Sequence, residues 1–223
     1  MKSLDKSQNH DALWTTAILI MTALSMAGGV FWMSLRSRSI LHFRADDRSA
    51  SAIKPLAKTR QAHCQISNQQ YRPNDQAVFM EFAEQPEVVA TFKKTGLAAS
   101  VRCADLTTSD REKGTSPILL LERIASEIVS QRKAGNQSAI VVTITLQAAE
   151  PGANQPNPRD YRRLKQAIER IVNERSAIAI IGVTGKLQNE LQNQLQDSPN
   201  VQICPANSVA ACVEQAFTQA RKL

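Results

Sequence analysis

Residues Ala139 to Leu146 read AIVVTITL, eight in a row that are apolar or β-branched. A strand with one face in water alternates polar and apolar side chains, so an unbroken run of this length predicts a strand buried on both faces. That requirement dominates the fold. A sheet needing cover on both sides takes helices between successive strands, and helical crossovers join strands that run parallel. Composition agrees: hydrophobic residues make up 43% of the chain and aromatics only 4%, so Ile, Val, Leu and Ala must fill the interior. Less an N-terminal segment of different character, the chain leaves about 180 residues, the size of one domain with a full core.

The remaining segments supply the other layers. Ser39 to Ala45 (SILHFRA) alternates as a strand and leads into Asp46 and Asp47. A helix is predicted from about Ala52 to Gln70, with Ile53, Leu56 and Ala57 on one face, stopped by Arg72-Pro73-Asn74-Asp75. Gln76 to Phe82 and Glu87 to Phe92 read as a hairpin around Ala83-Glu84-Gln85-Pro86. Leu97 to Arg102 reads as a short strand or an irregular crossing, and Asp105 to Gly114 as a polar loop. Leu121, Ile124, Ala125 and Ile128 recur at helical spacing after Pro117. The segment PGANQPNP, 151 to 158, reads as a long loop. Beyond it come helix Asp160 to Arg175, strand Ala177 to Val183, helix Lys186 to Leu195, strand Val201 to Cys204 and a helix from about Ser208 to Arg221. The order predicts a doubly wound, mostly parallel α/β sheet with helices on both faces and ligands at the carboxyl ends of its strands.

Leu13 to Leu35 contains 23 residues and no charged side chain. At helical rise it extends about 35 Å, enough to cross the hydrocarbon core. Trp14 and Trp32 stand near its ends, and Arg36 and Arg38 follow as a charged stop. The chain therefore divides into an N-terminal tail (1–12), a single transmembrane helix (13–35), a basic stem (36–38) and an α/β domain (39–223). A cleaved signal peptide is the competing reading, since Ser25-Met26-Ala27 offers small residues, but the apolar stretch runs on through Met33. Membrane localisation follows, and the positive-inside bias of Arg36, Arg38, Arg44 and Arg48 over Lys2 and Lys6 slightly favours a cytoplasmic domain.

Net charge is +7, and residues 36 to 60 hold seven basic against two acidic side chains. Beside a membrane helix that excess suits anionic lipid. No nucleic acid is expected as a partner, since no aromatic residues interleave with the basic ones. Four cysteines, Cys64, Cys103, Cys204 and Cys212, permit two disulfides or four buried thiols. With no CxxC and only His10, His42 and His63, no zinc site is expected.

At the predicted carboxyl edge, Asp47-Arg48-Ser49-Ala50-Ser51 places a carboxylate and two hydroxyls at alternate positions on a turn. Together with Thr115 of the second loop they can converge on a hard cation, Mg²⁺ or Mn²⁺. Simpler roles stand beside this one. Asp47, Ser49 and Ser51 can cap the helix starting near Ala52, Thr115 or Ser116 can cap the next, and Asp46 reads as a solvated loop charge. Gly182-Val183-Thr184-Gly185-Lys186 lacks phosphate-loop spacing and reads as a strand-to-helix turn. Ser49 lacks a G-x-S-x-G elbow, so no catalytic constellation is expected.

The sequence Asp47-Arg48-Ser49-Ala50-Ser51 resembles the D-x-S-x-S pattern of von Willebrand factor type A domains, and Gly114-Thr115 resembles their threonine loop. The hairpin Gln76 to Phe92 falls between them in the order that family shows. The resemblance covers roughly residues 39 to 221. It implies a metal-ion-dependent adhesion site with Asp47, Ser49, Ser51 and Thr115 as metal residues, completed by an acidic group of a partner protein. One position departs: Ala148, in Gln147-Ala148-Ala149-Glu150-Pro151, replaces the family's supporting Asp, which weakens the site unless Glu150 compensates. The expected function is a membrane-anchored protein-binding or scaffold domain, not an enzyme. The alternatives are a metal-dependent hydrolase using Asp47 and a metal-free structural subunit of a membrane assembly.

Overall fold

The computed structural model describes residues 38–49, 52, 55–96, 99–101, 103, 115–147, 158–183, 185–195 and 198–223. The predicted tail and span, Ser51, Ala148, Glu150 and most of the 151–158 loop lie outside them. Among the described residues no helix is long and apolar enough to cross a membrane.

Among the described residues six strands and five α-helices follow one another: β1 (Ile40–Asp47), α1 (Ala57–Gln70), β2 (Gln76–Phe82), β3 (Pro86–Lys93), α2 (Pro117–Lys133), β4 (Ala139–Thr145), α3 (Pro158–Val172), β5 (Ser176–Ile181), α4 (Gly185–Leu195), β6 (Val201–Cys204) and α5 (Val209–Ala220). A 3₁₀ turn, Ala206–Ser208, precedes α5. The sheet order is β3-β2-β1-β4-β5-β6. Every neighbouring pair is parallel except the β2–β3 hairpin at one edge. As the sequence predicts, β4 lies inside the sheet, with all seven of its residues buried.

Alternation on the strands builds two cores. Leu41, Phe43 and Ala45 of β1 join Ile140, Val142 and Ile144 of β4 under Ile124 and Ile128 of α2 and Ile168 and Ile171 of α3. The opposite face carries Ile40, Val141, Ala177 and Ile181 against Val213, Ala216 and Phe217 of α5. Burying one such side chain contributes roughly 1.5–3 kcal/mol, so these two layers supply the main driving force for folding.

Several boundaries differ from expectation for identifiable reasons. Strand β1 continues through Asp46 and Asp47, with Asp46 opposite Thr145 and Asp47 opposite Phe82, because both carboxylates find partners inside the fold. Helix α1 begins at Ala57 instead of Ala52, since Pro55 provides no N–H and disfavours helical geometry in the residue before it. Helix α3 begins earlier, at Pro158, a residue suited to a first turn. Strand β5 stops at Ile181 because Gly182 turns at φ +96°. A Cβ there would lie 3.0 Å from the Leu146 carbonyl oxygen, so the close approach of the β4 end requires glycine.

Candidate partner-binding edge and the polar core beneath it

Asp47 ends β1 fully buried, and its carboxylate is held from two sides. The Ser49 N–H donates to Oδ1 at 2.9 Å, closing a tight turn, and the Gln147 N–H from the end of β4 donates to Oδ2 at 3.2 Å. Burial pushes the Asp47 carboxyl above its ordinary pKa, opposed by those hydrogen bonds and by the Arg60 guanidinium. Among the described residues the predicted capping roles are not filled. The residue before α1 is Leu56 and that before α2 is Ser116, and neither makes a side-chain cap hydrogen bond.

The end of β2 brings the second loop to the first. The Phe82 carbonyl accepts from Arg48 N–H at 2.7 Å, and the adjacent Ala83 carbonyl accepts from Ser116 N–H at 2.8 Å. Thr115, half-buried, therefore reaches the same edge as Asp47 and Ser49. Ser51 lies outside the described residues. Among those residues no cluster of three or more His, Cys, Asp or Glu side chains is disposed to hold a metal. Among the described residues, Asp47 offers a cation its carboxylate beside the Ser49 and Thr115 hydroxyls.

Below this edge lies a polar layer that the sequence reading missed. Asp46 is 2% exposed, not a solvated loop charge. Its Oδ2 accepts from Arg44 Nε and Nη2 at 3.1 and 2.8 Å. Its Oδ1 accepts from the Thr145 hydroxyl at 2.8 Å and lies 3.2 Å from His63 Nδ1. Beyond, His63 Nε2 and His42 Nε2 meet the Thr143 hydroxyl at 2.5 and 2.7 Å, and His42 Nδ1 meets the Tyr71 hydroxyl at 2.7 Å.

The ionised end fixes the hydrogens along this chain. A carboxylate only accepts, so His63 carries its proton on Nδ1 and its Nε2 accepts from Thr143. The Thr143 oxygen then accepts from His42 Nε2–H, and His42 Nδ1 accepts from Tyr71. Each group is satisfied with both imidazoles neutral. Burial depresses the pKa of each histidine, reinforced by Arg44 and, for His42, by His63, and opposed by Asp46. Burial also works to raise the Asp46 carboxyl, but Arg44 and the His63 contact outweigh it and hold the group far below the usual carboxylate range.

Thr143, His63 and Asp46 form a hydroxyl–imidazole–carboxylate sequence like that of a nucleophilic triad. Thr143 and His63 are each 0% exposed, so no substrate can reach the hydroxyl. The arrangement is part of the core.

The basic residues after the predicted stem also need reassignment. Arg44, Arg48 and Arg60 are buried, and so cannot bind lipid headgroups. Arg44 pairs with Asp46, Arg48 donates to Glu81 at 2.7 Å, and Arg60 donates to the carbonyls of Asp47 and Ala52 at 3.0 and 3.2 Å. Arg60 thereby ties α1 to the motif loop. Burial and neighbouring Arg48 lower its pKa, opposed by Asp46, Asp47 and Glu81. The available signal was the matched polarity of three segments: His42, Arg44 and Asp46 alternate on β1, Thr143 and Thr145 on β4, and Arg60 and His63 lie three apart on α1.

No protein-family model matches the sequence, and no curated protein is similar to it in sequence. Solved structures share the fold. The conserved hypothetical protein BatB from Bacteroides thetaiotaomicron superimposes with a TM-score of 0.57 at 13% identity, covering 83% of this chain and 100% of that one. An aerotolerance-related membrane protein from Bacteroides fragilis NCTC 9343 gives 0.51 at 12%, with coverage of 83% and 100%. A von Willebrand factor type A protein from Catenulispora acidiphila gives 0.56 at 12%, covering 82% of this chain, which spans only 43% of that protein. The sheet order, the antiparallel edge hairpin and these likenesses identify the fold of this chain as that of von Willebrand factor type A domains.

Proposed function

We propose that the protein is a membrane-anchored binding or scaffold module that engages a partner protein at the carboxyl edge of its sheet. The observation that carries this reading is the convergence there of Asp47, Ser49 and Thr115, drawn together by the ends of β2 and β4. The apolar segment Leu13 to Leu35 supports the anchor. The fold likeness to a protein described as an aerotolerance-related membrane protein is compatible with it.

Mg²⁺ or Mn²⁺ at this edge would be held by Asp47, with hydroxyls from Ser49, Ser51 and Thr115, and would present an open coordination position to an acidic side chain of the partner. The donors suit a hard cation, and a buried carboxylate with a raised pKa gains from a positive neighbour. The buried Gln147 Oε1, which has no hydrogen-bond partner, is a further oxygen at the same strand end. With Asp47 as the only carboxylate offered there by the described residues the site is weak, and affinity in roughly the high micromolar to millimolar range is expected.

A fragment spanning 39–223, a compact unit in itself, tests this by thermal shift with Mg²⁺ and Mn²⁺. Stabilisation that vanishes in Asp47→Ala supports the metal-dependent form. No stabilisation at about 10–20 mM metal, roughly tenfold above the weak-site range, sinks it. The second reading, a metal-free structural subunit, is favoured by the cations already at the edge: Arg48 and Arg60 are buried beside Asp47 and Glu81. It predicts that Asp47→Ala leaves partner recovery from membranes unchanged.

A further inference from the structure

All four cysteines are consumed in two disulfides, and no cysteine is free. Cys64 on α1 joins Cys103 with a Cα–Cα distance of 5.8 Å, and Cys204 at the end of β6 joins Cys212 on α5 at 6.6 Å. Both distances lie within the span a disulfide bridges. The first bond does not act alone. One helical turn along α1 from Cys64, Asn68 donates from Nδ2 to the Val101 carbonyl at 2.7 Å and accepts from Val101 N–H at 3.1 Å. Val101 and Cys103 are thus laid against α1 by a two-way amide contact and by the disulfide, and Lys94, just beyond β3, donates from Nζ to the Ala99 carbonyl. The same helix contributes His63 and Arg60 to the support of β1.

We propose that both bonds are closed in the working protein and that the domain therefore stands on the oxidising, non-cytoplasmic side of its membrane. Cytosolic thiols are held reduced, so two closed structural disulfides indicate export. The charge balance favouring a cytoplasmic domain is a small excess of arginines, and long domains translocate largely regardless of such charge. Each bond forms by exchange: two protein thiols lose two protons and two electrons to the disulfide of a thiol oxidoreductase, which leaves as a dithiol. The Cys64–Cys103 bond fastens Cys103, twelve residues before Thr115 in the sequence, to α1. A partner at the Asp47 edge must then be exported too, or present an exported segment.

The test uses the full chain in intact cells of a bacterial host with an oxidising periplasm. Thiols are trapped with acid, and the denatured protein is alkylated with a maleimide polymer that adds a fixed mass per thiol. No added mass without reductant and four increments after reductant are expected. A C-terminal alkaline phosphatase fusion should be active and a C-terminal green fluorescent protein fusion dark. Four increments without reductant overturn the proposal, as does closed disulfides with a reporter reading cytoplasm. Cys64→Ser should expose one thiol, Cys103, and leave the other pair closed. Any exposure of Cys204 or Cys212 in that variant refutes the assigned pairing. Losing the Cys64–Cys103 bond, as in Cys64→Ser, should lower Tm by about 10 °C, from the entropy of the released 39-residue loop.

Discussion

Acid should weaken this domain well before its carboxylates titrate. His42 and His63 are each 0% exposed and are held neutral in a chain of hydrogen bonds with one proton arrangement. Their folded pKa values lie below the unfolded value. The unfolded chain therefore takes up protons near pH 6.5 while the native state does not, and stability falls as pH drops through that value toward the folded pKa. Between pH 7.5 and 5.5 each neutral ring contributes about 1.4 kcal/mol, so the pair contributes about 3 kcal/mol if both resist protonation and half that if only His42 does. For a domain of this size the larger figure lowers Tm by about 6–12 °C. Asp46 contributes in the same sense only below about pH 4, its pKa being depressed, whereas Asp47, with a raised pKa, makes the slope shallower. Circular dichroism melts of the 39–223 fragment at constant ionic strength provide the measurement. An unchanged Tm between pH 7.5 and 5.5 would refute the reasoning, as would a His42→Gln variant with the slope of the native sequence.

Other substitutions probe the same architecture. Asp46→Asn should cost about 3–5 kcal/mol in denaturant unfolding, because it leaves the Arg44 guanidinium buried without a counter-charge. Gly182→Ala should cost about 2 kcal/mol, combining an unfavourable positive φ with a Cβ crowding Leu146, and a melt within 1 °C of native would contradict the stated approach. Asp75→Ala should be comparably damaging: its carboxylate accepts from the N–H groups of Ile40 and Arg72 and pairs with Arg221 at 2.7 Å, tying β1 to the C-terminus, and unchanged unfolding by urea would count against that role.

Most of the sheet was readable because its strands are marked by composition. The run at 139–146 announces the buried strand β4, and the predicted bounds of β6 match those observed. The polar half of one interface was harder. In β1 the alternating His42, Arg44 and Asp46 look like a face turned to water, yet in a sheet covered on both sides that face meets a helix. Nothing local distinguishes a solvated Asp46 from one paired with Arg44 inside the fold and hydrogen-bonded to residues 17 and 99 positions away. The same blindness assigned Arg44, Arg48 and Arg60 to lipid. The D-x-S-x-S segment was legible as a site because its meaning lies within five consecutive residues, whereas Gln147, which holds Asp47 through its backbone N–H, carries no side-chain signature of that task.

The polar side chains under the edge also govern how α1 is seated. A helix resting on aliphatic side chains alone can slide along them with little penalty. This one carries alignment pins. Displacing it by one turn, about 5.4 Å, would withdraw His63 from Asp46 and Thr143 and pull Arg60 off the carbonyls of Asp47 and Ala52. Each loss strands a buried polar group, a penalty of about 1–3 kcal/mol apiece. The position of Ala52 beside the end of β1 is therefore indexed to one seating of the helix, to within a fraction of a turn.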